Sequence, residues 1–222
     1  AKKMHKISYE EMLELASLGP KVLQTRSVEM AYKHDIPVQV LSSFGEKVGS
    51  ERPGTLVTRE EDIMEKQVVN GVAYDKGEAK ITLFDVPDIP GVAAEVFGPL
   101  TECDVNVDMI IQNVSSDGKV TDLTFTTPKD DVNRAVECIQ KNEKLKGVEI
   151  KTAKDIAKIS VVGIGMVSHA GVAQTMFSAL AEKGINIHAI ATSEIKISVI
   201  IDKEYLELAV RALHTAYGLD SE

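Results

Sequence analysis

Two short loops carry the residues best suited to chemistry. Asp88-Ile89-Pro90-Gly91 and Ser168-His169-Ala170-Gly171 each leave an alternating apolar segment and enter an amphipathic one. Such a loop delivers a helix N-terminus, whose free backbone N–H groups and dipole favour a carboxylate. Asp88 beside it would hold an ammonium group. A free amino acid offers both charges, so the loops suit one. Asp88 and Ser168 equally suit plain helix caps, and the sequence leaves both readings open. Gln112 and Asn113 end a predicted strand, as amide ligands or as solvent-facing residues. Asn106 and Asn186 stand in matching places at strand starts, with a turn role as the alternative.

Other chemistries find less support. Gly163-Ile164-Gly165-Met166-Val167-Ser168 follows a strand, but Ser168 stands where a dinucleotide fingerprint needs its third glycine. His5, His34, His169, His188 and His214 show no metal-ligand spacing, so no metal site is expected. No Ser-His-Asp order stands out, and no catalytic residue is assigned. Cys103 and Cys138 are too few for a metal cage or a disulfide framework, and are expected as two reduced thiols.

The two loops belong to an internal repeat. Gly91 and Gly171 stand at the same offset as Asn106 and Asn186, with Ala79-Lys80-Ile81-Thr82 and Ala157-Lys158-Ile159-Ser160 upstream of each half. Matches in one order at one offset mark a repeated unit. Each unit reads as strand, loop, helix, strand, strand, helix. In the first, strands are predicted over 80–86, 105–112 and 120–126. Helices follow the Gly91 turn, with Val92, Val96, Phe97 and Leu100 inward, and span 130–141, with Val132, Ala135, Val136 and Ile139 inward. Asp117-Gly118 signals a hairpin. In the second, strands fall at 158–163, 185–191 and 194–201, and helices at 171–183 and 203–217. Val172, Met176 and Leu180 share one face of the first of these helices. This order is the ferredoxin-like split βαβ arrangement, βαββαβ, short of one strand per unit. Residues 68–74 supply a spare strand. If it completes the second sheet, the first unit is inserted in the second.

Residues 1–60 differ. Ser8-Tyr9-Glu10-Glu11 is a capping box ahead of Met12, Leu15 and Leu18, and Gly19-Pro20 stops that helix. A second helix is predicted over 21–33, carrying Val22, Leu23, Val28 and Ala31. Strands follow at 36–41 and 54–57, with a polar loop between them. This is too little for a complete α/β domain and reads as the tail of a larger one. Residues 61–67 form a charged linker.

Composition bounds the partners. The 222 residues carry 34 carboxylates against 25 cations, a net charge of -9. That balance argues against nucleic acid. No apolar run is long enough for a membrane span. No signal peptide opens the chain, which is expected to be cytoplasmic. The first residue is not Met, which suits a processed or excised chain.

At these residues a family resemblance becomes specific. Residues 68–222 resemble the paired ACT regulatory domains of aspartate kinase. The likeness rests on Ile89-Pro90-Gly91-Val92-Ala93, on the tract from Val107-Asp108-Met109 through Gln112-Asn113-Val114-Ser115, and on Thr192-Ser193-Glu194-Ile195-Lys196-Ile197-Ser198-Val199. Residues 7–57 are similar to the end of the kinase catalytic domain, through Ile7-Ser8-Tyr9-Glu10-Glu11-Met12, Lys21-Val22-Leu23 and Val40-Leu41-Ser42-Ser43-Phe44. The resemblance implies an α+β protein with a first ACT module at 77–152, inserted in a second formed by 68–76 and 153–222. Ahead of them it implies an α/β kinase remnant. It implies a parent enzyme that uses ATP and Mg2+ to phosphorylate the β-carboxylate of L-aspartate, inhibited by lysine and threonine and dimeric through its ACT modules. Effector contacts carried over are Asp88, Gly91, Ala93, Asn106, Asp108 and Gln112 from the first module, and Asn186, Ile187, Ser193 and Glu194 from the second. Ser115 and Thr121 match positions that tune feedback sensitivity. Lys21 and Val22 match the nucleotide site.

The chain also departs from that pattern. The Lys-Phe-Gly-Gly-Thr-Ser motif that supports phosphoryl transfer is absent, and so is the aspartate-binding glycine-rich segment. These residues alone are therefore expected to bind no cofactor and to be catalytically inactive. Pro20 and Thr25 replace commoner residues near Lys21, and Ala173 stands where a hydroxyl residue often lies. In this reading the helices and linker around 60–67 pass effector binding to the catalytic domain. Rival readings are a separately translated regulatory subunit, an unrelated ferredoxin-like binding module and a nucleotide-dependent oxidoreductase.

Overall fold

The computed structural model describes residues 3–19, 22–42, 54–63, 68–116 and 118–220, the side chains of residues 167 and 168 excepted. Lys21, Asp117, most of the 42–53 loop and residues 64–67 of the linker lie outside the described residues.

The chain begins with β1 (Lys6–Ser8), α1 (Tyr9–Leu18), α2 (Thr25–Lys33), β2 (Val38–Val40) and β3 (Thr55–Thr58). The three strands form one sheet in the order β1-β3-β2, with β1 parallel to β3. The capping box forms: Ser8 Oγ accepts the Glu11 N–H at 3.1 Å, and the Glu11 carboxylate accepts the Ser8 N–H at 3.3 Å. Ile7, Tyr9, Val28, Ala31 and Val57 make a small core of their own.

Next come β4 (Gly71–Asp75), β5 (Glu78–Pro87), α3 (Val92–Glu102), β6 (Ile110–Val114), β7 (Val120–Pro128), α4 (Val132–Gln140) and β8 (Glu149–Ala153). The last group is β9 (Ile156–Val162), α5 (Val172–Ala181), β10 (Ala189–Thr192), β11 (Lys196–Asp202) and α6 (Leu206–Ala216). The strands build two antiparallel sheets, β6-β7-β5-β8 and β10-β11-β9-β4. In the second sheet β4 holds the place that β8 holds in the first. β4 and β9 are neighbours in space, so the whole first sheet lies between them in sequence.

Each sheet buries one face under its two helices. Val96, Leu100, Ala135 and Ile139 meet Ile81, Leu83 and Phe125 in the first module. Met176, Leu180, Ala209 and Leu213 meet Ile159, Val161 and Val199 in the second. A third apolar contact joins the modules: Met109, Ile156 and Ile200 are buried together, with Ile111, Ala189 and Ala191 against them. At roughly 25 cal/mol per Å2 of apolar surface, such burial is the main force holding the modules together. No helix of the described residues is long and apolar enough to cross a membrane.

Several expectations need correction. Cys103 and Cys138 are bonded to each other, with Cα atoms 6.7 Å apart, and are not two reduced thiols. The repeat lays α4 beside α3 on one sheet face. This brings the C-cap of α3 within bridging range of α4. The second helix starts at Thr25, and Val22 is 73% exposed. The strands expected from residues 105 and 185 begin only at Ile110 and Ala189, because the chain first turns out of a helix. Asp104 takes φ 54 and Gly184 φ 67, and the following N–H groups return to Leu100 and Leu180. This is the left-handed helix stop, made once with aspartate and once with glycine. Phe97 and Val136 are only partly buried.

Candidate effector site and the contacts around it

The two loops fold alike. Gly91 and Gly171 are the N-caps of α3 and α5, with φ of 94 and 96. A Cβ at either position would meet nothing within 4 Å, so conformation and not space calls for glycine. With no side chain at the N-cap, the first N–H groups of each helix stay uncapped from that residue. The Asp88 N–H donates to the Lys119 carbonyl at 2.9 Å. Among the described residues the Asp88 carboxylate makes no hydrogen bond, so it does not cap α3.

The remaining first-module candidates are spread along the sheet, with Asn106 at the Thr127 end of β7 and the Gly91 loop at the Lys119 end. Ala93 is exposed in the first turn of α3. Asn106 is exposed, and its carbonyl accepts the Thr127 hydroxyl at 2.8 Å. Gln112 is exposed on β6, an edge strand, between Ile110 at 54% exposure and Val114 at 48%. In the second module Asn186 and Ile187 precede β10, also an edge strand, and Ser193 and Glu194 form the turn after it. That turn is closed by the Ser193 N–H donating to the Lys196 carbonyl at 2.8 Å. The Gly171 turn also opens on a groove of about 710 Å3 lined by His169, Gln174, Thr175, Ser178 and Tyr217. None of the four second-module candidates lines it. Burial pushes Tyr217 up to about 12, and its hydroxyl donates to the Val172 carbonyl at 2.7 Å.

Asp108 behaves differently from its neighbours. It pairs with Lys158, which stands on β9 of the second module and also pairs with Glu78 at the start of β5. The Lys158 side chain is 5% exposed, Glu78 11% and Asp108 49%. One ammonium thus serves two carboxylates across the module junction. Burial disfavours the Lys158 cation, but the two carboxylates outweigh it and raise its pKa. Burial also opposes ionised Asp108, and its hydrogen bond and attraction to Lys158 overcome this and lower its pKa. Glu78 goes the other way, because burial outweighs Lys158. Its Oε2 is buried without a hydrogen-bond partner among the described residues. Sequence reasoning missed this triad, although Lys158 was a visible anomaly: a cation inside Ile156–Val162, every residue of which is buried. Of the two nucleotide-site candidates, Val22 projects into solvent and Lys21 is not described.

These features define a class: paired ferredoxin-like modules with matched loops at their helix N-termini. Family models described as the ACT domain match residues 80–144 and 159–217. The aspartate kinase Ask_LysC of Stutzerimonas stutzeri strain A1501 is 52% identical over 223 residues, spanning 100% of this chain and 53% of that relative. The solved regulatory subunit of aspartate kinase from Thermus thermophilus is 46% identical, with a TM-score of 0.63 over 67% of this chain and 98% of that one. Aspartokinase III of E. coli, solved in complex with lysine and aspartate, shares the fold at 24% identity and a TM-score of 0.73, over 96% of this chain and 46% of that one. The chain belongs to the aspartate kinase family and corresponds to its ACT-bearing regulatory part. It spans about half the length of the curated relatives it matches.

Proposed function

We propose that this region binds an end-product amino acid, threonine or lysine, and thereby regulates an enzyme that phosphorylates the β-carboxylate of L-aspartate to 4-phospho-L-aspartate. That reaction opens the route to lysine, threonine and methionine. The observation that carries the reading is the pair of helix N-termini without a side-chain cap at Gly91 and Gly171, one preceded by Asp88, whose carboxylate makes no hydrogen bond among the described residues. Such a place can hold a carboxylate and an ammonium group at once. The lysine complex of the E. coli relative supports the ligand class.

Most of the candidate residues face solvent, whereas small-molecule sites enclose most of their ligand. In this reading the rims of two copies close over the effector, so the ACT modules form a homodimer through edge strands β6 and β10. ATP and Mg2+ belong to a catalytic domain. Among the described residues no three His, Cys, Asp or Glu lie together as a metal site.

Asp108 bears on which amino acid fits. Its carboxylate is already matched by Lys158, which favours an effector without a second cation, threonine over lysine. Calorimetry of the chain with threonine, lysine and both together tests the reading. Threonine binding at millimolar concentration or tighter, lost in Gln112→Ala, supports it. No heat from any of them, with the chain folded and dimeric, removes it. A second reading, a separately made regulatory subunit, is favoured by the Thermus likeness. The intact mass of the native protein separates the two.

A further inference from the structure

Helix α1 is held on one side by the small sheet of residues 6–58 and on the other by the second module. Tyr9, Met12 and Leu13 face the first core, with Ile7, Val28 and Val57. Leu15 and Leu18 face Ala73 of β4 and Val162 of β9. The approach to the module is close. A Cβ on Gly71 would stand 3.0 Å from a Leu15 methyl, and one on Gly19 would stand 3.3 Å from the Ala73 Cβ.

Two carboxylates on α1 reach different loops of the second module. Glu11 is 1% exposed. Its Oε1 accepts the backbone N–H of Ile164 at 2.8 Å and the Asn70 side-chain amide at 2.7 Å. Its Oε2 accepts the Ser8 N–H and hydroxyl, both at 3.3 Å. Four donors therefore surround this buried carboxylate. Ile164 begins the turn that runs on to Ser168-His169-Ala170-Gly171. Glu14 Oε2 pairs with Lys196 Nζ at 2.9 Å, both side chains about a quarter exposed. Lys196 closes the turn that presents Ser193 and Glu194. Each of the two second-module loops proposed to sense the effector is thus flanked by a residue that holds α1, Ile164 ahead of one and Lys196 after the other.

We propose that α1 is the element through which effector occupancy in the second module reaches residues 3–63, with Glu11 and Glu14 as the positioning residues that read the two loops. This rests on the effector reading above. A buried carboxylate that loses a donor pays its desolvation in full, so a shifted Ile164 N–H must carry Glu11 with it or leave it unsatisfied. Packed contacts of this kind switch between discrete arrangements and do not stretch. The route runs through α1.

Coupling is reciprocal, so it can be tested from either end. Hydrogen exchange of the full chain is compared in wild type, Glu11→Gln and Glu14→Gln, each with and without saturating threonine. Without ligand, Glu11→Gln is expected to raise exchange across 164–171 about tenfold, the loss of one charge-assisted hydrogen bond, while β5 and β7 stay protected. Glu14→Gln, at a part-exposed pair, gives a smaller rise across 193–196 and guards against a Glu11→Gln chain that fails to fold. With threonine, wild type is expected to change protection in α1, and the variants to keep the binding heat but lose that change. Unaltered loop exchange in both variants overturns the proposal. So does an α1 response to threonine that both variants retain. If no amino acid gives heat, the effector reading falls, and the ligand-free comparison still decides whether α1 and the loops are coupled.

Discussion

Replacing Lys158 with methionine removes the cation that pairs with both Glu78 and Asp108, while keeping a chain of similar length and apolar stem. Asp108 is half exposed, so water takes over much of the lost contact, as at surface pairs. Glu78 is 11% exposed and has no such recourse. Breaking a buried pair by deleting one partner costs about 3–5 kcal/mol. For a chain of this size that lowers Tm by on the order of 10 °C. The pH dependence identifies the cause. Glu78 already titrates above its ordinary 4.5, and losing Lys158 raises it further. A carboxyl group that binds its proton more tightly when folded gains stability as pH falls through the folded pKa. The gain is complete below the unfolded value. The Lys158→Met penalty relative to wild type is therefore full at pH 8 and shrinks at pH 5. Adding Glu78→Gln to Lys158→Met recovers most of it at pH 8. Urea melts followed by circular dichroism, at both pH values, read this directly. A penalty below about 0.5 kcal/mol at pH 8, or one equal at the two pH values, refutes the reasoning, since ordinary surface changes fall in that range.

Three further outcomes follow from the same structure. Alkylation of the unreduced, unfolded chain should find no free thiol at Cys103 or Cys138, and reduction should cost about 2–4 kcal/mol in a urea melt. Gly91→Ala should cost about 1–2 kcal/mol, from its left-handed backbone alone. Gly163→Ala should cost more than Gly91→Ala in the same thermal melt, because its Cβ would stand 2.3 Å from the Val68 carbonyl oxygen, which is backbone and cannot step aside.

The repeat was legible because it is local. Val92, Val96 and Leu100 recur at helical spacing, and so do Val172, Met176 and Leu180, and all six are buried. The capping box at Ser8 and Glu11 was legible for the same reason. What escaped is long-range. β8, Glu149–Ala153, is an edge strand with no buried residue and so lacks the apolar alternation that betrays a strand. Composition suggests a compartment for Cys103 and Cys138, but it cannot say that two stacked helices bring them together. Lys158 in an apolar strand demanded a partner, and only the fold shows that Glu78 and Asp108 supply it. Glu11 explained itself as a cap, which hid its bonds to Asn70 and Ile164. On the candidate site, motif reasoning named Asp108 as an effector contact and did not see its pairing with Lys158.

The central claim is that an amino acid seats at the Gly91 helix N-terminus and along the β6 rim. Backbone amide NMR of the isotope-labelled chain, titrated with threonine, tests it most directly. The account predicts that shifts concentrate at Gly91, Val92 and Ala93 and across 106–112, with a second set at 186–187 and 193–194. Shifts confined to residues 3–63, or none at millimolar threonine, would contradict it.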